Sequence, residues 1–231
     1  KSFPLRPLCS LCNDRTIKHH PKKLQGLIIV KLENRFAKTA GYLSSLVTFA
    51  CIFQPAAIGE DWPQFRGPAA GGAPSTAKIP ESFDGEGGTN IAWKAPIPGR
   101  SVSGAIVVGD QVITTSSDGL EQRRIRLLSF DTQTGKQRWE QQLVARGRPY
   151  CHPTSANAAP TPASDGKHIV AFYSSNDLVC VDLQGNLLWY RSLASDYPKA
   201  GNDVGMSASP VIIDGVVVVQ VECQGDSFAM G

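Results

Sequence analysis

Two polar stretches carry the side chains best suited to chemistry. Tyr150-Cys151-His152-Pro153-Thr154-Ser155-Ala156-Asn157 and Ser195-Asp196-Tyr197-Pro198-Lys199-Ala200-Gly201-Asn202-Asp203 each mix aromatic, amide and ionisable groups with proline. Such composition reads as loop, and loops held by a rigid scaffold are where binding residues concentrate. His152, Asn157, Asn202 and Asp203 are the candidates for a ligand face. They offer an imidazole, two amides and a carboxylate, which suits a polar ligand or a contact with another protein. Nothing beside them assembles a catalytic site, so no catalytic residue is assigned, and His152 is expected to bond its own loop.

Metal chemistry is the other option to weigh. Cys9 and Cys12 form a C-x-x-C followed by His19 and His20. A tetrahedral zinc needs four converging ligands, and adjacent histidines point in different directions. The spacing is wrong for a finger, and no metal site is assigned. Arg123, Arg124 and Arg126 flank the start of a strand and are expected to form a solvated edge that discourages sheet-to-sheet pairing.

Both loops must be positioned by the segments between them, and those segments repeat. Leu127-Leu128-Ser129-Phe130-Asp131 leads through a turn containing Gly135 to Trp139; Leu178-Val179-Cys180-Val181-Asp182 leads through a turn containing Gly185 to Trp189. The two turns differ by one residue, a change of hairpin-loop length that a repeat absorbs. Trp93, Trp139 and Trp189 recur at a spacing near fifty residues, the period of a propeller or solenoid.

Around this frame the strands fall into groups. Ile91–Lys94 is a short strand. Gly104–Val108, Gln111–Thr115, Ile125–Phe130 and Gln137–Leu143 make one group, with a Gly109-Asp110 turn. Ala159–Pro162, His168–Tyr173, Leu178–Val181 and Leu187–Ser192 make a second, with an Asp165-Gly166 turn. Ala208–Ile213, Val216–Glu222 and Ser227–Met230 begin a third. β-Branched residues in the runs and turn dipeptides between them argue strands. The expectation is an all-β fold: a partial β-propeller of four-stranded antiparallel blades, about three present and the last incomplete. A sandwich leaves the recurring tryptophans unexplained. Both loops then connect an outer strand to the next inner strand and lie on one face of the disc.

Four regions follow: a basic extension over 1–34 expected to be disordered, a signal peptide over 35–59, an irregular Gly/Pro-rich lead-in over 60–90, and the propeller over 91–231. The chain is expected to be part of a longer protein. Its formal charge of +3 is unevenly spread: residues 1–59 hold nine Lys/Arg against two carboxylates, the rest fourteen against eighteen. A mildly acidic body lacks the footprint that a phosphate backbone demands, so nucleic acid is not an expected partner. Arg35 and Lys38 precede an apolar run over Ala40–Phe53, and Ala57 and Gly59 offer small residues before Glu60. That is the layout of a secretory signal, too short to be a spanning helix of ~20 residues. The export segment is disordered or helical in this reading. Membrane association would come only through it, or through a lipid on Cys51, whose preceding Thr48-Phe49-Ala50 matches a lipid-attachment sequence poorly. Cys151, Cys180 and Cys223 remain after cleavage. Cys180 is expected to act as a small buried hydrophobe, and a bridge from Cys151 is left open.

The run Asp131-Thr132-Gln133-Thr134-Gly135-Lys136-Gln137-Arg138-Trp139, with its shorter counterpart from Asp182 to Trp189, resembles the quinoprotein-type, or PQQ-like, β-propeller repeat. The wider group includes WD40/YVTN-like propellers. The Asp61–Pro68 opening, and His152-Pro153 ahead of Pro160-Thr161-Pro162, resemble exported PQQ-binding-like repeat proteins of planctomycete-type bacteria; the repeat is also similar to that of the outer-membrane assembly propeller lipoproteins. The resemblance implies blade-docking roles for Trp93, Trp139 and Trp189 with Gly135 and Gly185, beside turns opened by Asp131 and Asp182. It implies an exported protein, periplasmic, in the cell envelope or secreted, that binds a protein or carbohydrate ligand. The alternative it raises is the N-terminal part of a PQQ-dependent alcohol or sugar dehydrogenase with PQQ and calcium. Such enzymes are described by a vicinal Cys-Cys pair, and none occurs here. The favoured expectation is a non-catalytic scaffold with no cofactor in this region.

Overall fold

The computed structural model describes residues 26–30 (as backbone), 60–68, 70–72, 79–201 and 204–231. The expected signal peptide, the Cys9–His20 cluster, Asn202 and Asp203 lie outside the described residues. Strand β1 (Gly26–Val30) pairs antiparallel with β2 (Ile91–Pro96). A strand within the stretch expected to be disordered follows from its run of Leu, Ile and Val, which favour extended backbone.

The strand groups expected from the repeat are present, but the first strand of the second group is Ala163–Ser164 and not the expected Ala159–Pro162, whose two prolines lack the N–H a ladder needs. β3 (Ile106–Val108), β4 (Gln111–Asp118), β5 (Arg124–Asp131) and β6 (Gln137–Val144) form a four-stranded antiparallel meander. β7 (Ala163–Ser164), β8 (His168–Phe172), β9 (Asp177–Asp182) and β10 (Leu187–Ser192) form a second. β11 (Val211–Ile213), β12 (Val216–Val221) and β13 (Phe228–Met230) form a third of three strands. The only α-helical turn among the described residues, α1 (Leu193–Asp196), follows β10. This all-β architecture is that of partial propeller blades.

What makes the sheets a fan is that the first two bury both faces, while the third buries one against the second. Successive side chains of a strand point to opposite faces, and here each set meets a different neighbour. Ile113, Ile125 and Leu127 of the first blade pack with Ile169, Ala171, Val179 and Val181 of the second. The alternate residues of the second blade, Val170, Phe172, Leu178 and Cys180, pack with Val219 and Val221 of the third. Val112, Leu128 and Phe130 turn the other way, toward Trp93, Ala95 and Ile97. Strands buried on both sides read as near-continuous apolar runs, as β8 and β9 do. Cys180 sits inside the second junction, where burial pushes its thiol up to about 11. All three described cysteines are free, so the bridge from Cys151 does not form.

Hydrogen bonds near the axis tie the inner strands together. Gly104 N–H donates to Thr161 Oγ1 at 3.0 Å, and Thr161 N–H donates to Ser209 Oγ at 3.0 Å, so Thr161 links three blades. The lead-in contributes too. Trp62 and Val107 exchange backbone bonds of 2.8 and 2.9 Å, and Ser164 N–H donates to Pro63 O at 2.8 Å. It thereby covers the open edges of β3 and β7, which would otherwise present unpaired groups. Phe65 of the same segment stays 56% exposed.

At the periphery Trp93 and Trp139 each reach the turn of the next blade. Trp93 donates its indole N–H to Thr132 O at 2.8 Å, and Trp139 donates to Leu183 O at 3.0 Å and to Gln111 Oε1 at 3.0 Å. A Cβ on Gly135 would lie 2.5 Å from the Trp93 ring, and one on Gly185 2.6 Å from the Trp139 ring. Both glycines also have positive φ, 68° and 84°, so only glycine meets both demands. Trp93 is 8% exposed, whereas Trp189 is 40% exposed and no turn of a further blade lies against it among the described residues. Packing a Trp buries on the order of 200 Å², or a few kcal/mol at ~25 cal/mol/Å². Trp139→Ala should therefore destabilise by about 3 kcal/mol and Trp189→Ala by under about 1. Urea unfolding of both variants checks this, and equal losses would mean that the rings do not wedge the blades.

Candidate functional site

The two ends of the blades are built differently. At one end lie the tight turns. Asp131 Oδ1 accepts from Gln133 N–H, Thr134 N–H and Thr134 Oγ1–H at 3.0, 2.8 and 2.8 Å. Its Oδ2 accepts from Arg138 at 2.6 Å, and Arg138 also reaches Asp110 at 2.6 Å. The Arg138 guanidinium, then the Thr134 hydroxyl and amide, hold the Asp131 carboxyl far below the usual range. Asp182 does the same work in the shorter turn. It accepts from Gln184 N–H and Asn186 N–H at 2.9 Å and from Asn186 Nδ2 at 2.8 Å, and the Asn186 side chain chiefly lowers its pKa. These are Asx-type turns, in which a carboxylate replaces missing backbone partners. They close this end with bonds internal to the fold.

At the opposite end the chain crosses from one blade to the next, and the loops are longer. Asp177, fully buried, accepts from Arg146 N–H (3.1 Å), Gly147 N–H (3.2 Å), Ser175 Oγ–H (2.7 Å) and Tyr190 O–H (2.8 Å). It pins the exit from β6 to the β8–β9 turn. Burial first, and the Asp177 carboxylate next, raise the Tyr190 hydroxyl above the ordinary phenol range, so it stays a donor. Tyr173, also fully buried, donates to Arg126 O at 2.9 Å across the same junction.

Asn157 lies in this structural layer. It is fully buried; its N–H donates to Gln122 Oε1 (3.0 Å), its Nδ2 to Gln122 O (3.2 Å), and its Oδ1 accepts from Ser175 N–H (2.9 Å). The amide is thus engaged in joining the first two blades. His152 is exposed; its N–H donates to Val204 O at 3.0 Å, and its Nδ1 accepts from Thr154 N–H at 3.3 Å and lies 2.8 Å from Thr154 Oγ1. The two are near in sequence, but one is buried and the other exposed. Arg126 departs from the solvated edge expected of it: it is 5% exposed, paired with Asp118 at 2.9 Å and Glu140 at 2.7 Å on the neighbouring strands. A buried guanidinium requires such partners, and strand pairing supplies them.

Between the second and third blades this end holds a cavity of about 230 Å³ framed by Arg148, Tyr150, Ser174, Asn176, Lys199 and Gln224 among others. Of these, Tyr150 and Lys199 belong to the two loops singled out in the sequence. The rest come from the β6 exit, the β8–β9 turn and the β12–β13 loop, which no local motif connects. Such an assembly, with polar groups on three blades, can bind and orient a small polar molecule.

The profile of the family described as outer membrane protein assembly factor BamB matches residues 82–230. The chain belongs to this family. No curated protein is similar enough to match. Among solved structures, BamB from Moraxella catarrhalis is 15% identical over 62% of this chain and 39% of that one, with a TM-score of 0.41. A europium-containing methanol dehydrogenase is 15% identical over 52% and 20%, with a TM-score of 0.35. Quinohemoprotein alcohol dehydrogenase from Comamonas testosteroni is 12% identical over 54% and 18%, with a TM-score of 0.37. The chain spans 39% or less of the length of these structures.

The family repeat places its carboxylates at the turn end, where they should govern acid stability. Burial raises Asp165, but the His168 ring and backbone N–H outweigh it and hold the carboxyl at about 2. Asp131 and Asp182 are also lowered. Depressed folded values mean that this stabilisation is present above the ordinary Asp value of ~3.9 and is lost as pH falls through the folded values. Circular dichroism melts from neutral pH to about 2 should show this loss, with a shallower acid decline in Asp131→Asn. Parallel declines would show that Asp131 contributes nothing through its charge.

Proposed function

We propose that this chain is an exported β-propeller scaffold of the bacterial cell envelope that binds a protein or carbohydrate ligand through its loop end and performs no catalysis in this region. The observation that carries the reading is the contrast between the two blade ends, in a member of an outer-membrane assembly factor family. Turn-end carboxylates are engaged within their own turns, whereas the loop end exposes His152 and frames a polar cavity. Toward PQQ and calcium the described residues are a poor fit. No group of three His, Cys, Asp or Glu side chains converges among them, and Trp62-Pro63 covers the inner edges of the first two blades.

Fractionation of the producing bacterium is expected to recover the protein in the periplasm or envelope; recovery from the cytoplasm would overturn the export. A photocrosslinking residue at His152 should trap an envelope protein or glycan, while one at Lys136, on the turn end, should not. Adducts from Lys136 alone would reverse the assignment of the binding face.

A further inference from the structure

We propose that the loop-end cavity binds a single carboxylate-bearing sugar unit, a uronate, at the junction of the second and third blades. This rests on the binding role above and names its ligand class. Arg148 and Lys199 bring two cations to the cavity, and no carboxylate lines it among the described residues. Neither cation joins an ion pair among the described residues. The guanidinium of Arg148 is instead held over the Tyr150 ring, with Cζ 4.8 Å from the centroid. That stacking orients a planar fork suited to a carboxylate.

Asn176 is the second, independent observation. It lines the same cavity, is only 3% exposed and takes a left-handed backbone with φ 62°. Its Nδ2 donates to Ala200 O at 3.3 Å, but its buried Oδ1 accepts no hydrogen bond. A buried acceptor without a donor is costly, and native structures rarely leave one. A ligand hydroxyl supplies the missing donor. Ser174 and Gln224 add polar groups beside it.

The site therefore asks for an anion and a neighbouring hydroxyl on one small frame. A neutral sugar lacks the first and acetate lacks the second. At about 230 Å³ the cavity is smaller than the ~300 Å³ of drug-sized sites, so it takes one ring rather than an extended peptide. Uronates satisfy all three demands.

Calorimetric titration of the protein with galacturonate and glucuronate, against galactose, glucose, acetate and a short peptide with a free C-terminus, tests this. At least one uronate should bind, with the neutral sugars and acetate about tenfold weaker or more, a difference of about 1.4 kcal/mol. Its affinity should fall as salt rises. Arg148→Gln with Lys199→Gln should weaken uronate binding at least about tenfold while leaving the melting temperature unchanged, since both side chains are exposed. Failure of both uronates to bind, binding of the neutral sugars or acetate as tight as theirs, or full retention by the double variant would overturn the proposal. Tighter binding of the peptide would assign the cavity to a protein partner. Any of these results with the His152 crosslinks intact sinks the uronate alone; loss of the crosslinks sinks the binding role itself.

Discussion

The interaction on which the blades depend is an indole N–H meeting the carbonyl one residue past a turn-opening aspartate. Trp93 meets Thr132 O and Trp139 meets Leu183 O in this way. The contact is local at neither end, because the ring leaves the outer strand of one blade while the carbonyl belongs to the following one. It requires a turn of fixed shape, a glycine under the ring and an outer strand in the right register. The aspartate secures the first demand by accepting the turn's N–H groups. Each docked ring closes the outer margin of a junction whose interior is apolar.

Once the blades are wedged in this way, burial of both sheet faces follows, and sequence features that look unrelated share one cause. Cys180 interrupts an apolar run without penalty because its face meets Val219 and Val221 of the third blade. Ser116, Ser117, Thr114 and Thr115 are buried in β4. Three of their hydroxyls are satisfied locally, those of Thr114 and Thr115 by Ser103 and that of Ser117 by Gln122. Polar groups deep in a core need such partners. Arg126 obeys the same rule through Asp118 and Glu140.

The strands, their turns and their grouping into blades were legible from the Asp, Gly and Trp spacing, because each of those residues meets a demand of the backbone within its own repeat. What the sequence concealed depends on residues far apart along the chain. Asn157 reads as a loop amide, yet Ala156, Asn157 and Ala158 are fully buried, since Gln122 of the preceding blade and Ser175 within its own take up the amide. Arg126 reads as an edge charge because its acidic partners lie on β4 and β6. Thr161 gave a faint signal, a small residue between prolines just ahead of an inner strand, but its bridging role needs three blades. The cavity gave less still, since Arg148, Asn176 and Gln224 meet only after the blades have docked.

The two turns show which part of the repeat is physically fixed. Asp131 is followed by glycine at the fourth position and Asp182 at the third, so the loop lengths differ. The longer turn is stabilised by Thr134 and Arg138, the shorter by Asn186, side chains of unrelated type. Both nevertheless place a carbonyl at the residue after the aspartate and a Cβ-free position beneath the incoming ring. What must recur is therefore an acceptor and an absence of bulk, and any side chain able to hold the turn around them can serve. A repeat constrained in that way leaves the exposed part of its opposite, loop end free to vary in polarity, because the indole docking does not pass through it; the buried Asn157, Tyr173 and Asp177 there stay committed to joining the blades. Binding groups can collect there without weakening the wedge between the blades.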